Sequence, residues 1–176
     1  MNDEQASEAS EPRWVDVSIA GVRRAAGDDA YRKAFIVILE EVAGTRTLPI
    51  GVQATDGTSL AMILQNVETR RPMTHQFAAS LVEASGAHVS EVRITRCTEG
   101  TFYAAVVVDG TSGRREMDAR PSDSLCLASI VRAPIRVDER VLAAQAADGF
   151  IDTPDYPTTE TELANEVRHA LASRSG

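Results

Sequence analysis

The chain has 176 residues, of which 43% are apolar, 25% are charged and only 5% are aromatic, which predicts one globular domain with a mainly aliphatic core. No apolar run approaches the ~20 residues of a membrane span, and the polar, acidic start (residues 1–12) differs from a secretion signal or a transit peptide. Because the two cysteines form no C-x-x-C pair, a disulfide scaffold or a thiolate zinc site is not expected, and we expect a cytoplasmic protein without a membrane partner.

The net charge of −8 belongs to the two ends of the chain. Residues 1–12 carry four acidic and no basic side chains, and residues 147–176 carry six acidic and two basic ones. The stretch 13–146 holds 16 of each sign and is therefore neutral. We predict a disordered acidic tail (1–12), a folded body (13–146) and an acidic C-terminal tail (147–176) with a short helix.

The first half of the body begins with strands. Alternation predicts a half-buried strand from Trp14 to Val22, and the run from Ala34 to Leu39 is typical of a central strand. Thr47–Ile50 is expected to be a short edge segment, because Pro49 cannot donate to a sheet ladder. We predict that two helices then follow, Asp56–Val67 and Thr74–Ser85.

The second predicted helix begins with Thr74 as its N-cap and ends before Gly86. We expect Phe77, Leu81 and Val82 to face the core, because they recur at helical spacing.

The second half of the body reads as a meander followed by helices. The predicted strands are Val89–Cys97, Phe102–Val108, Arg114–Ala119 and the short Ile135–Val137. A helix is expected from Pro121 to about Arg132 and another from Asp138 to Ala147. Strands grouped in this way predict an α+β fold with a largely antiparallel or mixed sheet and three to four helices.

The C-terminal tail contains a capping-box pattern, Thr159 with Glu162, before a thin apolar stripe. A short helix there has three open alternatives: docking on its own body, binding a protein partner, or fraying.

The densest polar cluster runs from Arg114 to Ser124, where a predicted strand turns into a helix. Alternation places Glu116, Asp118 and Arg120 on one face of that strand, and Asp123 falls in the first turn of the helix, whose free N–H groups favour an anion. Asp118 and Asp123 could hold a divalent metal such as Mg²⁺, while Arg120 binds a phosphate. The structural alternative is that Asp123 stabilises the helix dipole and Arg120 forms an ion pair with Asp118 or Glu116.

A second cluster, Arg70 to His75, precedes and opens the second predicted helix. Arg71 and His75 flank the helix start, where a histidine could act as a general base or donate to a phosphate. The structural alternative is an ordinary surface histidine. His88 and His169 have no acidic or cysteine neighbours and carry no functional hypothesis.

Together the two clusters resemble the bifunctional nuclease family. Arg71-Pro72-Met73-Thr74-His75, followed about 45 residues later by Asp118-Ala119-Arg120-Pro121-Ser122-Asp123, is similar to its motifs. The similarity extends over about 14–146, including Leu48-Pro49-Ile50.

The resemblance implies a self-associating α+β domain, a homodimer or other homo-oligomer, with activity reported for some members on RNA and DNA. The positions that match, and that it implicates, are Arg71, Thr74, His75, Arg120, Ser122 and Asp123.

The sequence departs from the family pattern at two places. Gln53 and the pair Asp56-Gly57 stand where the family has a Gly and then a Glu-Ala pair, and Gln76 stands where an acid usually follows the histidine. If those acids bind a metal, this chain has lost ligands and could be a binding or regulatory member.

Three hypotheses therefore stand. The first is a metal-assisted phosphodiesterase acting on RNA or DNA: His75, Asp118, Arg120 and Asp123 would be catalytic, and Arg71, Thr74 and Ser122 would bind substrate. The second is a non-catalytic regulatory or protein-binding module, and the third is a self-associating protein without a ligand.

Overall fold

The computed structural model describes residues 11–24 and 34–148, together with residues 165, 167–169 and 172. Within these ranges the elements are β1 (Trp14–Arg24), β2 (Ala34–Glu41), β3 (Arg46–Gln53), α1 (Ala54–Leu64), α2 (Thr74–Ala84), β4 (His88–Thr98), β5 (Thr101–Gly110), β6 (Gly113–Ala119), α3 (Pro121–Val131), β7 (Ile135–Asp138), α4 (Glu139–Gln145) and β8 (Ala147–Asp148). None of the described helices is long and apolar enough to cross a membrane.

The strands form one mixed sheet in the order β6-β5-β4-β7-β1-β2-β3-β8. Neighbouring strands are antiparallel except β4 and β7, which are parallel because α3 connects the meander back to β7. The predicted α+β class with a largely antiparallel sheet is confirmed. Pro49 lies in β3, as expected. On the side of β3 away from β2, only Arg46 and Thr47 pair with another strand among the described residues, so Pro49 is unpaired on that side.

The core lies between one face of the sheet and the helices. Alternation along β4 directs Val92 and Ile94 into it, and α3 contributes Leu125 and Cys126, all with no exposed surface. Since α3 packs against α1, α2, β4 and β5, it is the central helix of the layer. The position of the first turn of α3 is consequently fixed by the packing of this helix against its neighbours.

Most element boundaries agree with the sequence within about three residues, but two details of α2 were wrong. Its N-cap is Met73 rather than Thr74, and Gln76 Oε1 accepts a hydrogen bond from the Met73 N–H at 2.9 Å. Phe77 and Leu81, predicted to face the core, are 57% and 54% exposed. Helical spacing identifies the apolar face of a helix but does not say whether another element covers it.

The C-terminal residues 165, 167–169 and 172 are helical. Val167 packs beside the buried Met62 and Val67, together with Met73, and the Arg168 Nη2 donates to the Gln65 carbonyl at 3.0 Å. These contacts join the described residues of the tail to the body. The predicted disorder of 1–12 and the Thr159–Glu162 capping box fall largely or wholly outside the described residues.

Candidate functional site

Three helices bring polar side chains from their first turns to one place. Asp56 lies in the first turn of α1, His75 in the first turn of α2 and Asp123 in the first turn of α3. Acidic side chains are favourable at helix N-termini because unpaired N–H groups leave a partial positive charge there. The helix N-termini therefore stabilise the two carboxylates, Asp56 and Asp123, without any ligand.

Arg120 reaches this site because β6 ends one residue before it. Arg120 is the N-cap of α3, with an extended backbone at φ −69° and ψ 148°, and Pro121 opens the helix. Its side chain reaches the first turn of that helix, where Nε donates to Asp123 Oδ2. Asp118 remains on β6, exposed, on the same strand face as Glu116, while Ala119 faces the core.

His75, Asp123 and Arg120 form a continuous hydrogen-bonded chain. His75 Nε2 lies 3.0 Å from Asp123 Oδ1. Arg120 donates two hydrogen bonds to the same carboxylate, from Nε to Oδ2 at 2.8 Å and from Nη2 to Oδ1 at 3.1 Å. Opposite an ionised carboxylate, Nε2 carries the hydrogen, so Nδ1 is the nitrogen left to accept a proton.

Asp56 joins the cluster from α1. Its Oδ2 lies 3.2 Å from Arg120 Nη1 and accepts a hydrogen bond from the Ser122 hydroxyl at 3.0 Å. The Arg120 guanidinium thus lies between two carboxylates. Sequence reasoning did not name Asp56 as a site residue, although an acid in the first turn of a helix was an available signal.

These groups line an open pocket of about 560 Å³ between the helix starts. Its lining residues are Thr55, Asp56, Ser59, Pro72, Met73, Thr74, His75, Arg120 and Asp123. His75 is 14% exposed and Asp123 35%, whereas Arg120, at 57%, stands at the mouth. Of these three side chains, Arg120 is therefore the most accessible to an anion.

The other predicted site residues lie differently. Ser122 is buried and its hydroxyl supports Asp56, so it is not open to a substrate. Arg71 is exposed in the segment before α2 and does not line the pocket, although the adjacent Pro72 does. Asp118 does not line the pocket either. The structure therefore brings together Thr74, His75, Arg120 and Asp123.

The described residues of the site do not offer the full ligand set of a metal centre held by protein groups alone. Among the described residues, no group of three or more His, Cys, Asp and Glu side chains could hold a metal ion. Asp118 does not accompany Asp123 in the pocket, and both carboxylates that do line it are in contact with the Arg120 guanidinium. Gln76, which stands where the resemblance implies an acid, caps α2.

Charge and burial set the ionisation of the cluster. The Arg120 hydrogen bonds lower the pKa of Asp123, and the bond from His75 adds to this effect against the opposing influence of burial. Asp123 in turn raises the pKa of Arg120. One turn further along α3, burial raises the pKa of the Cys126 thiol to about 12. Cys126 is therefore a neutral core residue and not a nucleophile.

Comparison of the sequence with known proteins places this chain in a family. The family model of the bifunctional nuclease domain matches residues 37–149. An uncharacterized protein of Mycobacterium tuberculosis is 39% identical over 132 residues, which cover 75% of this chain and 78% of the relative.

Two plant relatives are more distant. The bifunctional nuclease 1 of Arabidopsis thaliana is 28% identical over 134 residues, covering 72% of this chain and 41% of the relative. The bifunctional nuclease 1 of Oryza sativa subsp. japonica is 27% identical over 117 residues, covering 65% of this chain and 35% of the relative.

The matched stretch contains the whole cluster, from Asp56 through His75 to Asp123. The chain belongs to the bifunctional nuclease domain family.

Proposed function

We propose that this chain is a phosphodiesterase that cleaves RNA or DNA in the pocket between the starts of α1, α2 and α3. The observation that carries the proposal is the hydrogen-bonded chain of His75, Asp123 and Arg120. It combines a proton acceptor, a carboxylate that orients it and a cation in one pocket. The relatives named as bifunctional nucleases add support at the level of the family.

In the proposed reaction, His75 Nδ1 removes a proton from an attacking water. The water oxygen bonds to phosphorus, the bond to the leaving oxygen breaks, and that oxygen takes a proton from solvent. Asp123 holds the imidazole in orientation and stabilises the imidazolium that forms, as in other His–carboxylate pairs. Arg120 stabilises the charge that develops on the phosphoryl oxygens.

The test is cleavage of labelled single- and double-stranded RNA and DNA by the full chain, with and without EDTA. We expect His75→Gln and Asp123→Asn to lose about 100-fold or more of the rate. His88→Gln, outside the pocket, is the matched control. Wild-type rates in both site variants would contradict the proposal, and so would a wild-type chain that cleaves none of the substrates. Loss of cleavage in EDTA would restore the sequence-based expectation of Mg²⁺ or a similar ion.

The second candidate is a non-catalytic regulatory or protein-binding member of the family. The observation that favours it is the charge of the pocket, where two carboxylates face one arginine. This candidate predicts specific binding of a protein without turnover of nucleic acid. A pull-down with the full chain, and with the chain ending at residue 148, tests whether the C-terminal tail recruits such a partner.

We also propose that the chain acts in the cytoplasm and self-associates. Cys97 and Cys126 are both free thiols, which suits a reducing compartment. Fluorescence microscopy of the tagged chain tests the location, and light scattering on the purified chain tests the assembly.

A further inference from the structure

The outer face of α2 carries large apolar side chains that no described element covers. Phe77 is 57% exposed and Leu81, one turn further, is 54% exposed. No residue of α2 is fully buried, so this helix contributes less to the core than α1 or α3. Two large apolar side chains one turn apart form an exposed apolar patch, which is a more informative observation than a single exposed apolar residue.

This face adjoins the candidate site. Phe77 lies three residues after Thr74, and side chains with that spacing are neighbours on a helix surface, about 5–6 Å apart at Cβ. Thr74 lines the pocket that holds His75 and Arg120. Phe77 is therefore next to the rim of the pocket and not at a distant part of the surface.

Positive charge lies at the other end of the same stretch. Arg70 and Arg71 are exposed in the segment that leads into α2, three to four residues before Thr74. The order along the chain is thus two cations, a pocket residue and an exposed aromatic ring. Cationic groups that follow a phosphate backbone and aromatic rings that stack on bases are the two recurring parts of single-strand binding sites.

We propose that Phe77 stacks on an unpaired nucleobase next to the phosphodiester held in the pocket, so that the site selects single-stranded nucleic acid. The inference rests on the proposed phosphodiesterase function and names its substrate class. In a duplex both faces of each base are covered by neighbouring base pairs, whereas an unpaired base can offer a face to Phe77. Stacking of this kind tolerates any base, because every base has a π-face.

A second copy of the chain is the rival occupant of this apolar face. The arginines before Thr74 favour the nucleic acid, since they suit phosphates and would add nothing to an apolar contact. The two occupants differ in what they require of residue 77: an aromatic ring for stacking, and only apolar area for a contact between copies.

The experiment compares Phe77→Ala, Phe77→Tyr and Phe77→Leu with the wild-type chain. Val42→Ala is the matched control, because Val42 is 67% exposed in the turn between β2 and β3 and does not line the pocket. The measurements are kcat and KM on one sequence supplied single-stranded and as a duplex, binding of both by fluorescence anisotropy, and molar mass by sedimentation. Thermal melting confirms that each variant is folded.

We expect Phe77→Ala to raise KM and Kd for the single strand on the order of tenfold, with kcat changed less than twofold and the duplex affected little. Phe77→Tyr should restore the wild-type values and Phe77→Leu should not. The inference is overturned if all variants match the wild type, if Leu restores as well as Tyr, or if Phe77→Ala lowers the molar mass. A wild-type chain that binds and cleaves neither strand form overturns the proposed function as well, whereas active wild type with an unaffected Phe77→Ala overturns this inference alone.

Discussion

At the scale of single residues, Asp123 is the residue that connects the other side chains of the candidate site. It accepts from His75 and, through both oxygens, from Arg120, and these partners lower its pKa. A carboxyl whose pKa is lower in the folded state stabilises the fold above its unfolded pKa of about 3.9, and this contribution is lost as the pH falls through the folded value.

We therefore expect Asp123→Asn to change the acid limb of the stability curve. The wild-type chain should exceed the variant in free energy of unfolding by a constant amount above about pH 5, and the gap should shrink below about pH 4. Urea unfolding followed by circular dichroism between pH 3 and pH 7 measures this. A gap that is independent of pH would show that the ionised carboxylate contributes nothing.

A second residue-scale prediction concerns the support of Asp56. Asp56→Ala leaves the buried Ser122 hydroxyl without its acceptor, which costs about 1–3 kcal/mol. The double variant Asp56→Ala/Ser122→Ala should recover part of that loss, because both partners are then absent. A double-mutant cycle by urea unfolding should give a coupling of at least about 0.5 kcal/mol. If the losses in free energy of unfolding of the two single variants simply added up in the double variant, the hydrogen bond would not support the site.

At the scale of elements, Gly57 sets how closely α1 approaches the sheet. A Cβ at this position would lie 2.5 Å from both Cβ and Cγ of the buried Phe35 in β2. The glycine therefore lets α1 lie against β2, which fixes the position of the neighbouring Asp56. This close contact gives a physical reason for a residue that is otherwise unfavourable inside a helix.

Gly57→Ala should therefore destabilise the fold, because overpacking costs about 1–3 kcal/mol and exceeds the gain in helix propensity of about 1 kcal/mol. It should also lower the activity of the site by displacing Asp56. Gly51→Ala is the matched control, since a Cβ there meets nothing within 4 Å. Thermal melting of both variants tests the prediction, and a higher melting temperature for Gly57→Ala would refute it.

At the scale of the whole molecule, the sheet face away from the core is held by an ionic network around Glu91. This carboxylate is only 3% exposed, and it accepts from Arg93 in its own strand, Arg114 in β6 and Arg136 in β7. Arg93 also lies over the Trp14 ring of β1, 4.7 Å from its centroid. The network thus ties together strands from one edge of the sheet to its centre.

Glu91→Gln should cost about 1.5–3 kcal/mol, because three arginines lose charge-assisted hydrogen bonds to a buried carboxylate, although each keeps a second, more exposed carboxylate partner. Glu116→Gln, which removes a 49% exposed partner of Arg93, should stay within about 0.5–1 kcal/mol. Urea unfolding of both variants measures the difference. Equal losses would show that burial of Glu91 does not set the strength of the network.

Local periodicity was enough to predict most of the fold. The alternation after Trp14 and along Val89–Cys97, and the Pro121 start of α3, depend on neighbours within a few residues, and the observed strands and helix follow them. The two polar clusters could be identified in the same way, because the start of a helix is a local feature. These properties are therefore determined by the sequence on its own.

Only the tertiary structure decided which side chains meet. His75 and Asp123 are 48 residues apart in sequence, and their contact depends on the packing of α2 against α3. Arg120 joins them and Asp118 does not, because β6 ends between the two residues. Phe77 points outward because no described element covers that side of α2. Sequence periodicity predicts which face of a helix or strand is apolar. Which other elements pack against that face depends on how the whole chain folds.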